Sequence, residues 1–128
     1  MKKSDRQFIL DKTDGACFYC GEALTSRWHA DHFHPIKRNG DGTMLHPERD
    51  CMENLIPSCA PCNKLKSSLD IEYFRKYLDK FVDSLNKYTN QYKFAKKYGQ
   101  VVETRSPVLF WFEKNNYCMD EINSVLEK

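Results

Sequence analysis

Ile71, Phe74, Leu78, Phe81 and Leu85 alternate spacings of three and four residues, with polar side chains between them. That is the period of one helix face. It predicts a helix starting at Ser68 or Asp70 and reaching about Leu85, with the stripe packed inward. A second helix is predicted from about Asn86 to Tyr98, stopped by Gly99. Near the N-terminus, Ser4 to about Lys12 reads as a short helix with Ser4 as N-cap and Phe8, Ile9 and Leu10 turned inward. The turn Thr13-Asp14-Gly15 ends it. Alternation over about Arg27 to Phe33 predicts a strand. Trp28, Ala30, His32 and His34 share one face, and His29, Asp31 and Phe33 the other, until Pro35 interrupts.

Beyond that strand, Ile36 to Asp50 has loop composition and is long for a compact domain, a length that often goes with function. Glu53 to Pro57 predicts a second short strand around Asn54-Leu55-Ile56. Ser58 is a candidate N-cap for a helix reaching about Ser67. Gln100–Thr104 and Val108–Glu113 predict an antiparallel pair around Arg105-Ser106-Pro107. Asn116–Lys128 predicts a closing helix with Ile122, Val125 and Leu126 packed. The expected architecture is a single α+β domain over residues 1–128, with a core at about 14–69 and a helical and β-hairpin extension at about 70–128.

No apolar run approaches a membrane span, and no apolar segment follows Lys2 and Lys3 as in a secretory leader. The expected compartment is the cytoplasm, where paired cysteines stay reduced and read as metal ligands rather than disulfides. The net charge of +2 says little, but its distribution says more. Lys87, Lys93, Lys96 and Lys97 occur without an intervening acid, interleaved with Tyr88, Tyr92, Phe94 and Tyr98. Such a surface can lie against phosphates, and it can equally be the solvated face of an ordinary helix.

Cysteines change the picture most. Cys17/Cys20 and Cys59/Cys62 are two Cys-x-x-Cys pairs, and residues 21–58 between them hold all 4 histidines: His29, His32, His34 and His46. Two such pairs suit one tetrahedral structural Zn²⁺, with Gly21 letting the first knuckle fold back. Four thiolates fill that ion's coordination sphere, so it stabilises the fold and takes no part in chemistry. Cys51 and Cys118 lack partners at metal spacing and read as ordinary thiols. Asp31-His32 by itself is a weak signal. Asn63, next to the last cysteine and at a helix start, strengthens it. A carboxylate and an amide oxygen are hard ligands that suit Mg²⁺ or Mn²⁺.

The order Cys17-x-x-Cys20-Gly21, Asp31-His32-Phe33-His34-Pro35, Asn54-Leu55-Ile56, Cys59-x-x-Cys62-Asn63 and Lys66 resembles the HNH endonuclease family in its four-cysteine form. The resemblance runs from about Ala16 to Ser67. It implies a ββα-metal, treble-clef-like fold stapled by one zinc. It also implies His32 as general base, Asn54 as the residue orienting it, and Asp31 and Asn63 as ligands of a catalytic divalent cation. The expected activity is hydrolysis of DNA phosphodiester bonds, leaving 5′-phosphate and 3′-hydroxyl ends. The expected partner is double-stranded DNA read with little sequence preference, by a monomer or homodimer. His34, Arg38, Lys64 and Lys66 are candidates for phosphate contact or for support of the site. Departing from a compact motif, residues 36–50 are long, and Asn63 stands where the family name has its final histidine. A non-catalytic zinc-stapled nucleic-acid-binding module, a zinc-dependent protein-interaction domain and a cysteine-redox protein remain open alternatives at this point.

Overall fold

The computed structural model describes all of residues 1–128. Its elements are α1 (Lys3–Asp11), β1 (His29–His32), β2 (Leu55–Ser58), α2 (Ala60–Lys66), α3 (Ile71–Asp79), α4 (Phe81–Tyr88), α5 (Asn90–Lys97), α6 (Trp111–Lys114) and α7 (Asp120–Asn123). Short 3₁₀ turns lie at Pro47–Arg49, Met52–Asn54 and Ser124–Glu127. The chain divides into two compact units. One comprises Met1–Ile71 with Leu109–Lys128, and the other Glu72–Val108. No helix is long and apolar enough to cross a membrane.

The first unit is built on an antiparallel β1–β2 pair in which His29 faces Ser58, Asp31 faces Ile56 and His32 faces Leu55. β2 is followed directly by α2, which gives the expected ββα order. All of β2 is buried. β1 is shorter than the alternating pattern predicts, because the chain bends at Phe33 and His34. Asn54 enforces the bend. Its Oδ1 accepts from His34 N, and its Nδ2 donates to His34 O and Arg49 O. Two predicted helix starts also move. α1 begins after Lys2 without a side-chain cap, and Phe8 is exposed while Ile9 is buried. α2 is capped by Cys59, not Ser58: the Cys59 sulfur accepts from Cys62 N.

The predicted hairpin over residues 100–113 does not form. The chain runs without strand structure to Phe110 and then turns into α6. Val102 is 82% exposed, whereas Phe110 and Phe112 are buried. Packing overrides β-propensity here. Phe112 stacks on Phe18 at 4.9 Å, and Phe33 meets both rings edge-on at 5.4–5.7 Å. Backbone bonds from Trp111 N to Tyr19 O and Phe112 N to Phe18 O fasten α6 to the first cysteine knuckle. Gly21 lies so close that a β-carbon would sit 2.9 Å from the Trp111 ring, and its φ of +78° also requires glycine. The closing helix is reduced to α7 and a 3₁₀ turn, with Ile122 and Val125 buried but Leu126 exposed.

In the second unit the predicted long helix is two, α3 and α4. They are separated at Lys80, whose N–H bonds back three residues to Tyr77 O. The helix predicted from Asn86 is α5, starting at Asn90 and followed by Gly99 at φ +72°. The apolar stripe is only partly buried: Phe74 is enclosed, but Leu85 is exposed. Glu103 ties this unit together. It accepts hydrogen bonds from Asn86, Tyr92 and Lys96 at 2.6–3.0 Å. Those from Asn86 and Lys96 do most to pull its carboxyl down to about 2.

An aromatic cluster packs around the fully buried Phe18 in the first unit. Phe18→Ala should lower stability to chemical denaturation by about 3–5 kcal/mol. Leu126→Ala, at a 52% exposed position, should stay within about 0.5 kcal/mol in the same titration.

Candidate functional site

The four cysteine sulfurs Cys17, Cys20, Cys59 and Cys62 converge until all their Sγ atoms lie within 4.8 Å of one another. None is in a disulfide. Cys20 Sγ and Cys59 Sγ are 3.8 Å apart. Metal–sulfur bonds of about 2.3 Å in a tetrahedron give sulfur–sulfur edges of about 3.8 Å, so the donor set fits such an ion. Backbone N–H groups point at two of the sulfurs, Cys59 N at Cys17 Sγ and Cys62 N at Cys59 Sγ. Crowding splits the thiols. A hydrogen bond from Cys62 pulls Cys17 down to about 4 and drives Cys62 itself up, while burial raises Cys20 to about 11.

The first knuckle reaches directly to β1. Tyr19, between its two cysteines, donates its hydroxyl to Asp31 Oδ2 at 2.5 Å. Lys66, at the end of α2, places its ammonium 3.3 Å from the same oxygen and donates to His32 O. Lys66 is fully buried and Asp31 nearly so. Burial pushes the Lys66 ammonium down, and the Asp31 carboxylate pulls it back up. Burial, with Asp31 beside it, drives the Tyr19 phenol well above its ordinary range. Of the two roles expected for Lys66, phosphate contact is closed to a fully buried ammonium, which leaves support of the site. The i, i+3 and i, i+4 geometry of α2 turns Lys66 toward β1, and its role is to neutralise Asp31.

Asp31 Oδ1 has no hydrogen-bond partner in the chain. Asp31 and His32 line an open cleft of about 390 Å³ with Pro35, Ile36, Lys37, Arg38, Ser67 and Ser68. The cleft joins an acid and an imidazole to two cationic residues, a combination suited to a phosphate. Lys37 at φ +47° and Ser67 at φ +51°, both lining the cleft, have positive φ. Non-glycine residues keep that conformation when the surrounding structure enforces it, and such residues cluster at functional sites.

His32 Nε2 lies 2.8 Å from Asp50 Oδ1, with both side chains partly open to solvent. Asp50 closes the long loop, which is not slack. Arg38 pairs with Met44, His46 N bonds Ile36 O, and His46 faces Glu48 at 3.4 Å. Sequence reading missed Asp50, as it missed Tyr19. The only signal was an acid four residues before Asn54, which spacing alone does not single out.

Of the other candidates, Asn54 is fully buried and acts on the backbone of His34 and Arg49 rather than on the His32 ring. His34 does not share the His32 face. Its ring bonds Asn123 Oδ1 at 2.9 Å, and burial lowers its proton affinity. Asn63 lies one turn before Lys66 on the same side of α2, and its side chain makes no hydrogen bond within the chain. It is not among the residues lining the cleft. Lys64 is exposed on α2, and Arg38 is at the cleft.

Residues 17–69 match the model of the HNH endonuclease family. Among solved structures, the chain is similar to the crystal structure of the Type II-C Cas9 enzyme from Actinomyces naeslundii, with 18% sequence identity and a TM-score of 0.49. That alignment covers 100% of this chain and 12% of the other. No curated protein matches the sequence. The matched segment begins at the first metal-binding cysteine and contains Asp31, His32, Asn54 and Asn63. Residues 17–69 are thus similar to the HNH endonuclease family, and the order β1, β2, α2 within them is compatible with a ββα-metal core.

Proposed function

We propose that the chain hydrolyses DNA phosphodiester bonds, with His32 as general base. The observation that carries this reading is the His32 imidazole at an open cleft beside the unpartnered oxygen of Asp31, with one ring nitrogen held by Asp50. A carboxylate only accepts, so the Asp50 bond assigns the proton to Nε2 and leaves the lone pair on Nδ1. Nδ1 takes a proton from the attacking water as its oxygen bonds to phosphorus. The bond from phosphorus to the 3′ oxygen breaks and that oxygen takes a proton from water in the open cleft, giving 5′-phosphate and 3′-hydroxyl ends. Lys37 and Arg38 hold the phosphate from the rim of the cleft, and Lys64 reaches flanking backbone. Asn54 keeps the bend after β1, and with it the direction of His32.

Asp31 Oδ1 and the side-chain oxygen of Asn63 are hard donors free of other bonds, and they suit a hydrated divalent cation. Held by these residues, Mg²⁺ or Mn²⁺ would supply positive charge to offset that of the reacting phosphate. Zn²⁺ at Cys17, Cys20, Cys59 and Cys62, one per chain, is structural, and the free thiol pairs suit the reducing cytoplasm. One His32 per chain cuts one strand. Cutting both takes a second chain or a second event. The cleft presents no helix for reading bases, which fits duplex DNA cut with little sequence preference.

His32→Ala should abolish nicking of supercoiled plasmid in Mg²⁺ or Mn²⁺, a loss of about 10²–10⁴-fold or more, with zinc content and fold intact. Full activity in that variant removes His32 as the base. If the chain is only a zinc-stapled binding module, wild type and variant bind alike and neither nicks. Asp50→Ala should lower kcat by about 10–100-fold with little change in KM, as when an outer carboxylate behind a working histidine is lost. Asp50→Glu should recover part of it.

Graded EDTA should stop cleavage while one zinc per chain is still measured by elemental analysis, and added Mg²⁺ should restore it. Cys59→Ser should lose that zinc and the cooperative unfolding of the first unit together. Simultaneous loss of zinc and activity along the EDTA series would contradict two separate metal sites.

A further inference from the structure

The second unit carries the positive charge of the protein. Residues 72–108 have eight Lys and Arg against four Asp and Glu, while the remainder has twelve against fourteen. The same unit exposes large rings: Tyr73 is 62% exposed, Tyr77 45%, Tyr88 75%, Phe94 55% and Tyr98 79%. Exposed aromatics in this number are not an ordinary solvated surface.

Ring and charge are paired. Lys76 Nζ lies 5.5 Å from the centre of the Tyr73 ring, Lys87 Nζ 5.2 Å from Tyr88, and Lys97 Nζ 5.3 Å from Phe94. α3 and α4 add a shape. Tyr77, Lys80, Phe81, Asp83, Ser84, Lys87 and Tyr88 line an open groove of about 430 Å³. Tyr77 meets Phe81 edge-on at 4.9 Å, and Tyr73 lies one turn earlier on the Tyr77 side of α3. The groove's only carboxylate, Asp83, is held by Arg105 at 2.6 Å. Lys76, Lys80 and Lys87 make no ion pair.

We propose that this groove binds single-stranded nucleic acid, with unpaired bases stacking on Tyr77 and Tyr88 and the phosphates between them meeting Lys80 and Lys87. The composition selects the occupant. A duplex hides its base faces and needs only the lysines. An acidic peptide likewise needs the lysines but has no use for the exposed rings of Tyr77 and Tyr88. Bases linked by phosphates use both, and aromatic stacking accepts any base. The proposal stands outside the family segment at 17–69 and takes from the nuclease reading only the class of partner.

The test uses the whole 128-residue, zinc-loaded chain carrying His32→Ala without added Mg²⁺, so that nothing is cleaved. Fluorescence anisotropy then compares a labelled twelve-residue oligo(dT), the same length of duplex DNA, and an oligoglutamate peptide. The oligo(dT) should bind at least about tenfold tighter than either. Tyr77→Ala and Tyr88→Ala should each weaken it about tenfold, the cost of one lost stacking platform. Tyr88→Trp should retain binding, whereas Tyr88→Leu should not. Lys87→Glu should weaken it and flatten the salt dependence. Tyr88 is largely solvent-exposed, so its variants keep the fold, and circular dichroism checks this. Equal or tighter duplex binding, equal peptide binding, indifference to the alanine variants, or rescue by leucine would each overturn the proposal. Oligo(dT) binding by this groove in a wild-type chain that never nicks DNA removes the nuclease reading alone.

Discussion

A carboxylate buried against a buried ammonium holds the first unit in register. Asp31 Oδ2 receives the Tyr19 hydroxyl and the Lys66 ammonium, and Lys66 also donates to the carbonyl of His32. Those three side chains come from the first cysteine knuckle, β1 and α2. Removing water from Asp31 and Lys66 costs several kcal/mol per ion, so the pair persists only where all three pieces stand together. The sulfur cluster supplies that condition, because Cys17 and Cys20 flank Tyr19 while Cys59 and Cys62 open the helix that carries Lys66. Any ion at the four sulfurs thereby acts on Asp31 without touching it.

The same arrangement explains which features were legible beforehand. Two Cys-x-x-Cys pairs and the Asp31-His32 dipeptide are local patterns, and ligand spacing survives in the linear chain. The partners of Asp31 and His32 do not. Tyr19, Lys66 and Asp50 lie 12, 35 and 18 residues away in sequence, and only the fold chooses them. Lys66 was legible only as one of two options, phosphate contact or support of the site, and its burial beside Asp31 leaves the second. His34 misled because strand alternation was extended across the bend that Asn54 makes. The missing hairpin has a related cause. Val108 to Phe112 has strand composition, yet Phe110 and Phe112 find their burial around Phe18 from a turn and a short helix.

The long loop between the strands looked like slack in the sequence. In the structure it is a strap whose two ends converge. Asn54 grips it at His34 and Arg49, Arg49 donates to Pro35 O, and Asp50 then meets His32. Length supplies reach here: a tight turn after β1 could not carry a carboxylate back to the imidazole at the end of the same strand. The positive φ at Lys37 belongs to this strap, where the chain leaves the cleft.

Charge is divided unevenly between the two units. With twelve basic against fourteen acidic residues, the part of the chain that contains the HNH segment has no bulk attraction for a polyanion. Its cleft offers Lys37 and Arg38 and little else of that sign. Phosphate binding is dominated by the number of neutralised charges, so two rim cations give weak and local hold. Residues 72–108 carry the complementary excess and the exposed rings. If His32 and the second-unit groove act as proposed, affinity and chemistry reside in different stretches of sequence. Changes in the second unit should alter how long nucleic acid stays without altering how a bound phosphate is handled, and changes around His32 should do the reverse.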